Sequence, residues 1–176
     1  WLSQRGDKPF FAYLSYILPH VELVVPEDSK APYRGKFPDR PILDPRPGYL
    51  GSEEEGYATL AGMVSRLDRY AGEVLDLLQE KGWDDETVVI FTSDNGAQSG
   101  GKDAGWTAMT DFFQANGPLR GYKGTWYEGG VRVPCIVRWP GHVPAGTTVD
   151  TIAGFQDFLP TIAELAQAKP PANIDG

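Results

Sequence analysis

Thr87-Val88-Val89-Ile90-Phe91-Thr92-Ser93-Asp94-Asn95-Gly96 is an apolar run that ends abruptly in a carboxylate, an amide and a glycine. Val88 to Thr92 are all β-favouring, and suit a strand covered on both faces, as the parallel strands of α/β proteins are. Gly96 permits the positive φ of a sharp exit turn. Ligands in open α/β sheets gather outside the carboxyl ends of strands. Asp94 and Asn95 sit at such an end and offer only oxygens, the ligand type preferred by hard cations such as Ca²⁺ or Mg²⁺. Asp-Asn-Gly is also ordinary turn composition, so the triplet alone leaves both half a metal site and a plain turn open.

A second stretch follows one loop further on, Asn116-Gly-Pro-Leu-Arg-Gly-Tyr-Lys-Gly-Thr-Trp-Tyr-Glu-Gly-Gly-Val-Arg-Val-Pro134. Taken with Phe91 to Gly96 and with Leu14-Ser-Tyr-Ile-Leu-Pro-His20, it resembles the sulfatase family, over nearly the whole chain and with the three motifs in the family's order. The resemblance implies an α/β, alkaline phosphatase-like fold with a mainly parallel sheet flanked by helices, residues 1–176 being the central-to-late part of one catalytic domain. It also implies roles. Asp94 and Asn95 would bind Ca²⁺, and Lys123 and His20 would contact the sulfate. The family's nucleophile is a formylglycine made from the cysteine of C-x-[PA]-x-R. Cys135 is followed by Ile136, Val137 and Arg138, so it does not match and reads as a core residue; the nucleophile and the remaining acidic ligands are expected upstream of Trp1.

Composition bounds the alternatives. The chain has 176 residues, 41% of them hydrophobic, enough for one domain with a real core. A net charge of −8, with 16 dispersed Lys and Arg, argues against nucleic-acid binding, which needs clustered cations. No apolar run approaches the length of a membrane span. The start at Trp1, with neither methionine nor a signal-type segment, reads as a piece of something longer or a processed product. Only the resemblance points to a compartment: periplasmic, secreted or lysosomal-type. One cysteine excludes an internal disulfide framework.

Along the chain, Pro9 to Leu18 is an apolar and aromatic run expected as a buried strand that presents His20 at its carboxyl edge. A histidine there can donate to an anion or to a leaving-group oxygen, or simply cap the strand. Residues 21–51 form a proline-rich surface excursion in which Tyr33, Arg34 and Arg40 are candidate selectivity residues. Ser52-x-x-Glu55 has capping-box spacing, and behind it Tyr57, Leu60, Ala61, Val64, Leu67, Ala71, Val74, Leu75 and Leu78 recur at helical steps until Gly82. This helix followed by the strand from Thr87 makes half of a βαβ unit. Residues 97–119 read as a long active-site loop whose Trp106, Phe112 and Phe113 are either a pocket wall or anchors. Lys123 lies among Gly121, Gly124, Gly129 and Gly130, where backbone can approach a ligand closely; Glu128 is placed to pair with Lys123 or Arg132. Val131 to Trp139 and Thr151 to Phe155 are expected strands, and Asp157 caps a helix with Pro160 in its first turn.

The resulting expectation is a Ca²⁺-dependent sulfuric ester hydrolase fragment acting on a sulfated small molecule or glycan, with self-association through an exposed sheet edge. Two alternatives remain open. One is a phosphatase or phosphodiesterase of the same superfamily, which favours histidine-rich two-zinc sites where this chain has only His20 and His142. The other is a non-catalytic binding module.

Overall fold

A computed structural model of the chain describes residues 1–4, 6, 8–38, 40–43, 52–99 and 105–176. It comprises two units, Trp1–Val143 and Pro144–Gly176. The first is organised around helix α2, Gly56–Glu80. Its end follows from Gly82, whose φ of +68° lets the chain turn back: Gly82 N–H donates to Gln79 O at 3.0 Å and Trp83 N–H to Leu78 O at 2.9 Å, the Schellman pairing.

The helix does not start as its capping box suggests. Ser52 instead pairs with Leu43 in a short antiparallel ribbon of β1, Ile42–Leu43, and β2, Ser52–Glu53. Glu55 is the N-cap residue and its side chain caps nothing. The carboxylate is taken by Arg34, at 3.0 and 3.1 Å, and by Lys30, at 3.3 Å. The hydrogen bond from Arg34 holds the Glu55 carboxyl below its usual range.

Residues 21–43 are less of an excursion than their composition suggests. Helix α1, Glu27–Lys30, lies so close to α2 that a Cβ on Gly62 would stand 2.8 Å from Ser29 O. Val21, Leu23 and Ile42 enter the core with Tyr57, Met63, Trp106 and Met109. Two of the proposed selectivity residues are spent on structure: Tyr33 bonds the Ser65 hydroxyl, and Arg34 pairs with Glu27 and Glu55. Arg40 is exposed, and residues 44–51 lie outside the described residues.

The expected strand over Pro9–Leu18 forms no ladder among the described residues. It packs instead against α2 and the residues just past its end, with Tyr16 against Tyr70 at 6.0 Å and Phe10 against Trp83 at 6.1 Å between ring centroids. Without sheet neighbours, Phe11, Tyr13 and Ile17 stay 67%, 82% and 76% exposed.

Strand β3, Val89–Thr92, does form, but its partner is antiparallel. It pairs with β4, Cys135–Arg138, in the register Val89↔Arg138 to Thr92↔Cys135. The mainly parallel sheet is therefore not found among the described residues, nor is a βαβ unit. Arg138 fixes the open end of the ribbon with a two-point ion pair to Asp84, at 2.6 and 2.8 Å. Cys135 is exposed rather than buried, on a two-stranded ribbon with no further strand beside it among the described residues. The strand is also shorter than expected, since Val131 ends helix α4, Glu128–Val131.

Helix α3, Trp106–Phe112, occupies much of the expected loop 97–119, of which residues 100–104 are not among those described. Trp106 is 3% exposed, and Phe112 and Phe113 meet Tyr57 and Phe37 edge-on at 5.0 and 5.2 Å. The three aromatics are anchors. In the second unit, helix α5 runs from Phe158 to Leu165 with Pro160 in its first turn. Residues 151–154 form no strand. Asp157 accepts a hydrogen bond from Gly154 N–H at 2.7 Å and so closes the turn before α5 rather than capping the helix.

Candidate active site

The turn after β3 is held from three sides. Ser93 Oγ donates to Asn95 O at 3.0 Å, Thr92 Oγ1 donates to Pro134 O at 2.9 Å, and Gly96 N–H donates to Gly130 O at 3.0 Å. Gly96 does not adopt a positive φ, contrary to expectation. Its lack of a side chain matters for space, because a Cβ there would stand 2.8 Å from the carbonyl carbon of Gly129. Backbone-to-backbone contact of this kind needs glycine for clearance rather than for conformation.

The lysine segment is the other half of that contact. Lys123 N–H donates to Ala97 O at 2.9 Å, tying the residue to the chain just past Asp94-Asn95-Gly96. Gly129 N–H donates to Arg120 O at 2.8 Å, where a Cβ on Gly129 would come within 2.8 Å of that same oxygen. Thr125 Oγ1 donates to Tyr122 O at 2.8 Å and closes the small turn that carries Lys123. Helix α3 braces both halves: Thr110 Oγ1 donates to Gln98 O and Tyr122 Oη donates to Asp111 Oδ1, each at 2.6 Å. That bond is the main reason the Tyr122 phenol is raised above its usual pKa. Asn116 spans the two halves, with its Oδ1 accepting from Ala97 N–H at 3.0 Å and its Nδ2 donating to Gly121 O at 2.7 Å.

Asp94, Asn95 and Lys123 are thus brought to one place by backbone. Asp94 is exposed, and Asn95 and Lys123 are half-buried. Glu128 pairs with Arg132 at 3.4 Å, which decides between its two candidate partners and leaves Lys123 Nζ without an ion-pair partner among the described residues. Asp94 and Asn95 supply two oxygens where Ca²⁺ takes about six to eight. No group of three or more His, Cys, Asp or Glu among the described residues completes a metal site. The donors present fit a hard cation in kind and fall short of it in number.

His20 belongs to a different segment. Its Nδ1 lies 2.7 Å from Val21 O, so this nitrogen donates, and Nε2 has no hydrogen-bond partner among the described residues. Among the described residues no hydrogen bond joins His20 to the Asp94 turn or to Lys123. The link is indirect, through Val21 and Leu23 in the core shared with Trp106 and Met109 of α3. Sequence reasoning passed over Asn116, Thr110, Asp111 and Tyr122. Asn116 heads an Asn-Gly-Pro stretch, a turn signal whose side chain can also bond backbone; the α3 residues carry no signal apart from their helix.

A family model described as Sulfatase matches residues 1–168. A sulfatase of Formosa agariphila is 37% identical over 177 residues, which cover 96% of this chain and 28% of the relative. Human arylsulfatase A is 34% identical, covering 99% of this chain and 28% of its own length. Among solved structures, that of Ps i-CgsB in complex with k-i-k-neocarrahexaose matches with a TM-score of 0.73 at 32% identity, over 98% of this chain and 32% of that one. The chain spans less than a third of the length of each of these relatives.

Proposed function

Since the chain belongs to the sulfatase family, we propose that it carries part of the active site of a sulfuric ester hydrolase, cleaving a sulfate ester to an alcohol and sulfate. The observation that carries this is the bond from Lys123 N–H to Ala97 O, which fixes a half-buried lysine beside two oxygen ligands.

Hydrolysis of a sulfate ester concentrates negative charge on the transferring sulfuryl oxygens and on the bridging oxygen. Lys123 Nζ meets the first as a compact positive charge whose backbone is fixed in advance, so little reorganisation is needed as the transition state forms. His20 meets the second: with Nδ1 committed to Val21 O, the protonated ring donates from Nε2 to the sulfate or the bridging oxygen, and the alcohol leaves neutral. Asp94 and Asn95 hold two of the oxygen positions of a Ca²⁺ ion, which when bound supplies charge neutralisation at the sulfate. Cys135, with Ile136-Val137-Arg138 after it, is not assigned as nucleophile. That part of the chemistry, the remaining metal ligands and a mainly parallel sheet are assigned to the portion of the relatives' domain that this chain does not span.

A sulfated glycan or smaller sulfate ester is the proposed substrate class, supported by the oligosaccharide in the structure of Ps i-CgsB. A periplasmic, secreted or lysosomal-type location belongs to the same proposal. No helix among the described residues is long and apolar enough to cross a membrane.

The test is turnover of an aryl sulfate by the complete protein. Lys123→Ala and His20→Ala each lower kcat and kcat/KM together, by about a hundredfold or more, as loss of a transition-state contact does. Calcium restores activity after chelation. Normal turnover by both variants, or tight zinc-selective binding at Asp94 and Asn95, would overturn the assignment.

A further inference from the structure

We propose that Asn116 is a positioning residue that sets Lys123 in register with the Asp94-Asn95 turn; this rests on the role of Lys123 given above. The carboxamide bonds two backbone groups that belong to different segments of the site. Oδ1 accepts from Ala97 N–H, 3.0 Å away on the exit of the metal turn, and Nδ2 donates to Gly121 O, 2.7 Å away and two residues before Lys123. The amide can face only one way, because a flip would set donor against donor and acceptor against acceptor.

Three features single out Asn116 among the bonds of this region. Asn116 is half-buried, so its two bonds are shielded from competing water. It bonds the N–H of Ala97, whose carbonyl takes the Lys123 N–H, and the carbonyl of Gly121, two residues before Lys123, so the three bonds tie the motifs at neighbouring points. The 93–96 turn has holds of its own, from Ser93 Oγ, Thr92 Oγ1 and the Gly96–Gly130 pairing. The lysine segment is likewise closed on itself, by Gly129 N–H to Arg120 O and Thr125 Oγ1 to Tyr122 O, so loss of Asn116 removes bonds between the two segments rather than within either and lets one shift against the other. The consequence is a lysine displaced from the sulfuryl group rather than a lost ligand. Displacement of about 1 Å at a reacting centre costs on the order of a hundredfold in rate, and removal of outer partners of site residues costs about ten- to a hundredfold.

The experiment is a double-mutant cycle in the complete protein on an aryl sulfate, with Asn116→Ala and Lys123→Ala alone and combined. Asn116→Ala alone is expected to lower kcat by about ten- to a hundredfold, and in the Lys123→Ala background to cost less than about threefold, because the group it positions is already gone. Asn116→Asp keeps the acceptor for Ala97 N–H and sets a carboxylate against Gly121 O; it is the variant to use if the alanine form does not fold, with kcat falling on the same pattern. An equal loss from Asn116 substitution in both backgrounds overturns the positioning role, as does wild-type kcat in either Asn116 variant. Full activity of Lys123→Ala alone would instead refute the role of Lys123, and the proposal with it.

Discussion

Gly96→Ala adds one methyl at a position whose backbone any residue can adopt, so its cost comes from the space around it. The new Cβ would lie 2.8 Å from the carbonyl carbon of Gly129, nearer still to that carbonyl's oxygen, and 3.1 Å from Gly130 Cα. Carbon atoms pack at about 3.5–4.0 Å, so the turn and the start of α4 must part by roughly 1 Å, and none of the atoms in the way is a flexible side chain. The Gly96 N–H to Gly130 O bond, now 3.0 Å, is lost in that opening. One hydrogen bond at about 1 kcal/mol and an overpacked contact at about 1–3 kcal/mol give a total of about 2–4 kcal/mol. For a chain of this size that is roughly 4–15 °C in Tm. Thermal melts of the protein give the measurement, with Gly72→Ala as its control. Gly72 lies inside α2 with nothing within 4 Å of its would-be Cβ, so the same substitution there stabilises by about 0.5–1 kcal/mol. A Gly96→Ala protein melting with the wild type would show that the two motifs are not in backbone contact.

Other outcomes follow from the same contacts. The Tyr122 phenol is raised chiefly by the bond it donates to Asp111, so its stabilisation is complete below about pH 10 and is lost as pH rises through the higher folded value; Tyr122→Phe should flatten that alkaline limb, and an unchanged limb would place the titration elsewhere. Asp84 is lowered chiefly by its hydrogen bond from Arg138, so its contribution is complete above about pH 4 and disappears as pH falls through the lower folded value; Asp84→Asn should destabilise at neutral pH and converge on the wild type in acid, as followed by urea unfolding. The 176-residue chain by itself should self-associate, because the β3–β4 ribbon has no further sheet neighbour among the described residues and Phe11, Tyr13 and Ile17 are exposed; light scattering that reports a monomer at all concentrations, unchanged by Ile17→Glu, would refute this.

What could be read from the sequence was whatever short-range pattern determines. Helical spacing gave α2 and Gly82 gave its end, because both depend on residues within a turn of one another. The β-favouring run gave β3, but nothing in it encoded the direction of its neighbour, since pairing is a property of two segments and Val89↔Arg138 lies 49 residues apart in sequence. Pro9–Leu18 has the composition of a strand and still forms no ladder among the described residues, because a ladder needs a partner. Glu55 failed as a capping residue for a comparable reason: the competing cations, Lys30 and Arg34, come from a segment that spacing does not tie to it. The site residues were legible only through resemblance, since Asp-Asn-Gly and a glycine-flanked lysine are common separately and acquire meaning together.

That the two motifs mean something together has a physical basis in the glycines. A Cβ at Gly96 would run into the backbone of Gly129 and Gly130 in the facing segment, while Gly129 and Gly130 leave room for residues 120–125 of their own loop, so the turn with two oxygen ligands and the loop with the lysine fit each other main chain to main chain. A site assembled in this way depends little on side-chain packing and tolerates variation at its exposed positions, such as Trp126, which is 96% exposed. It does not tolerate separation, because Lys123 N–H to Ala97 O, Gly96 N–H to Gly130 O and the two bonds of Asn116 share one interface and a shift that breaks one loads the others. The charge chemistry proposed for Lys123 requires a cation placed before the reaction begins. Backbone hydrogen bonds around a half-buried lysine fix where its Cα stands before the reaction, which is the part of that placement the main chain can supply.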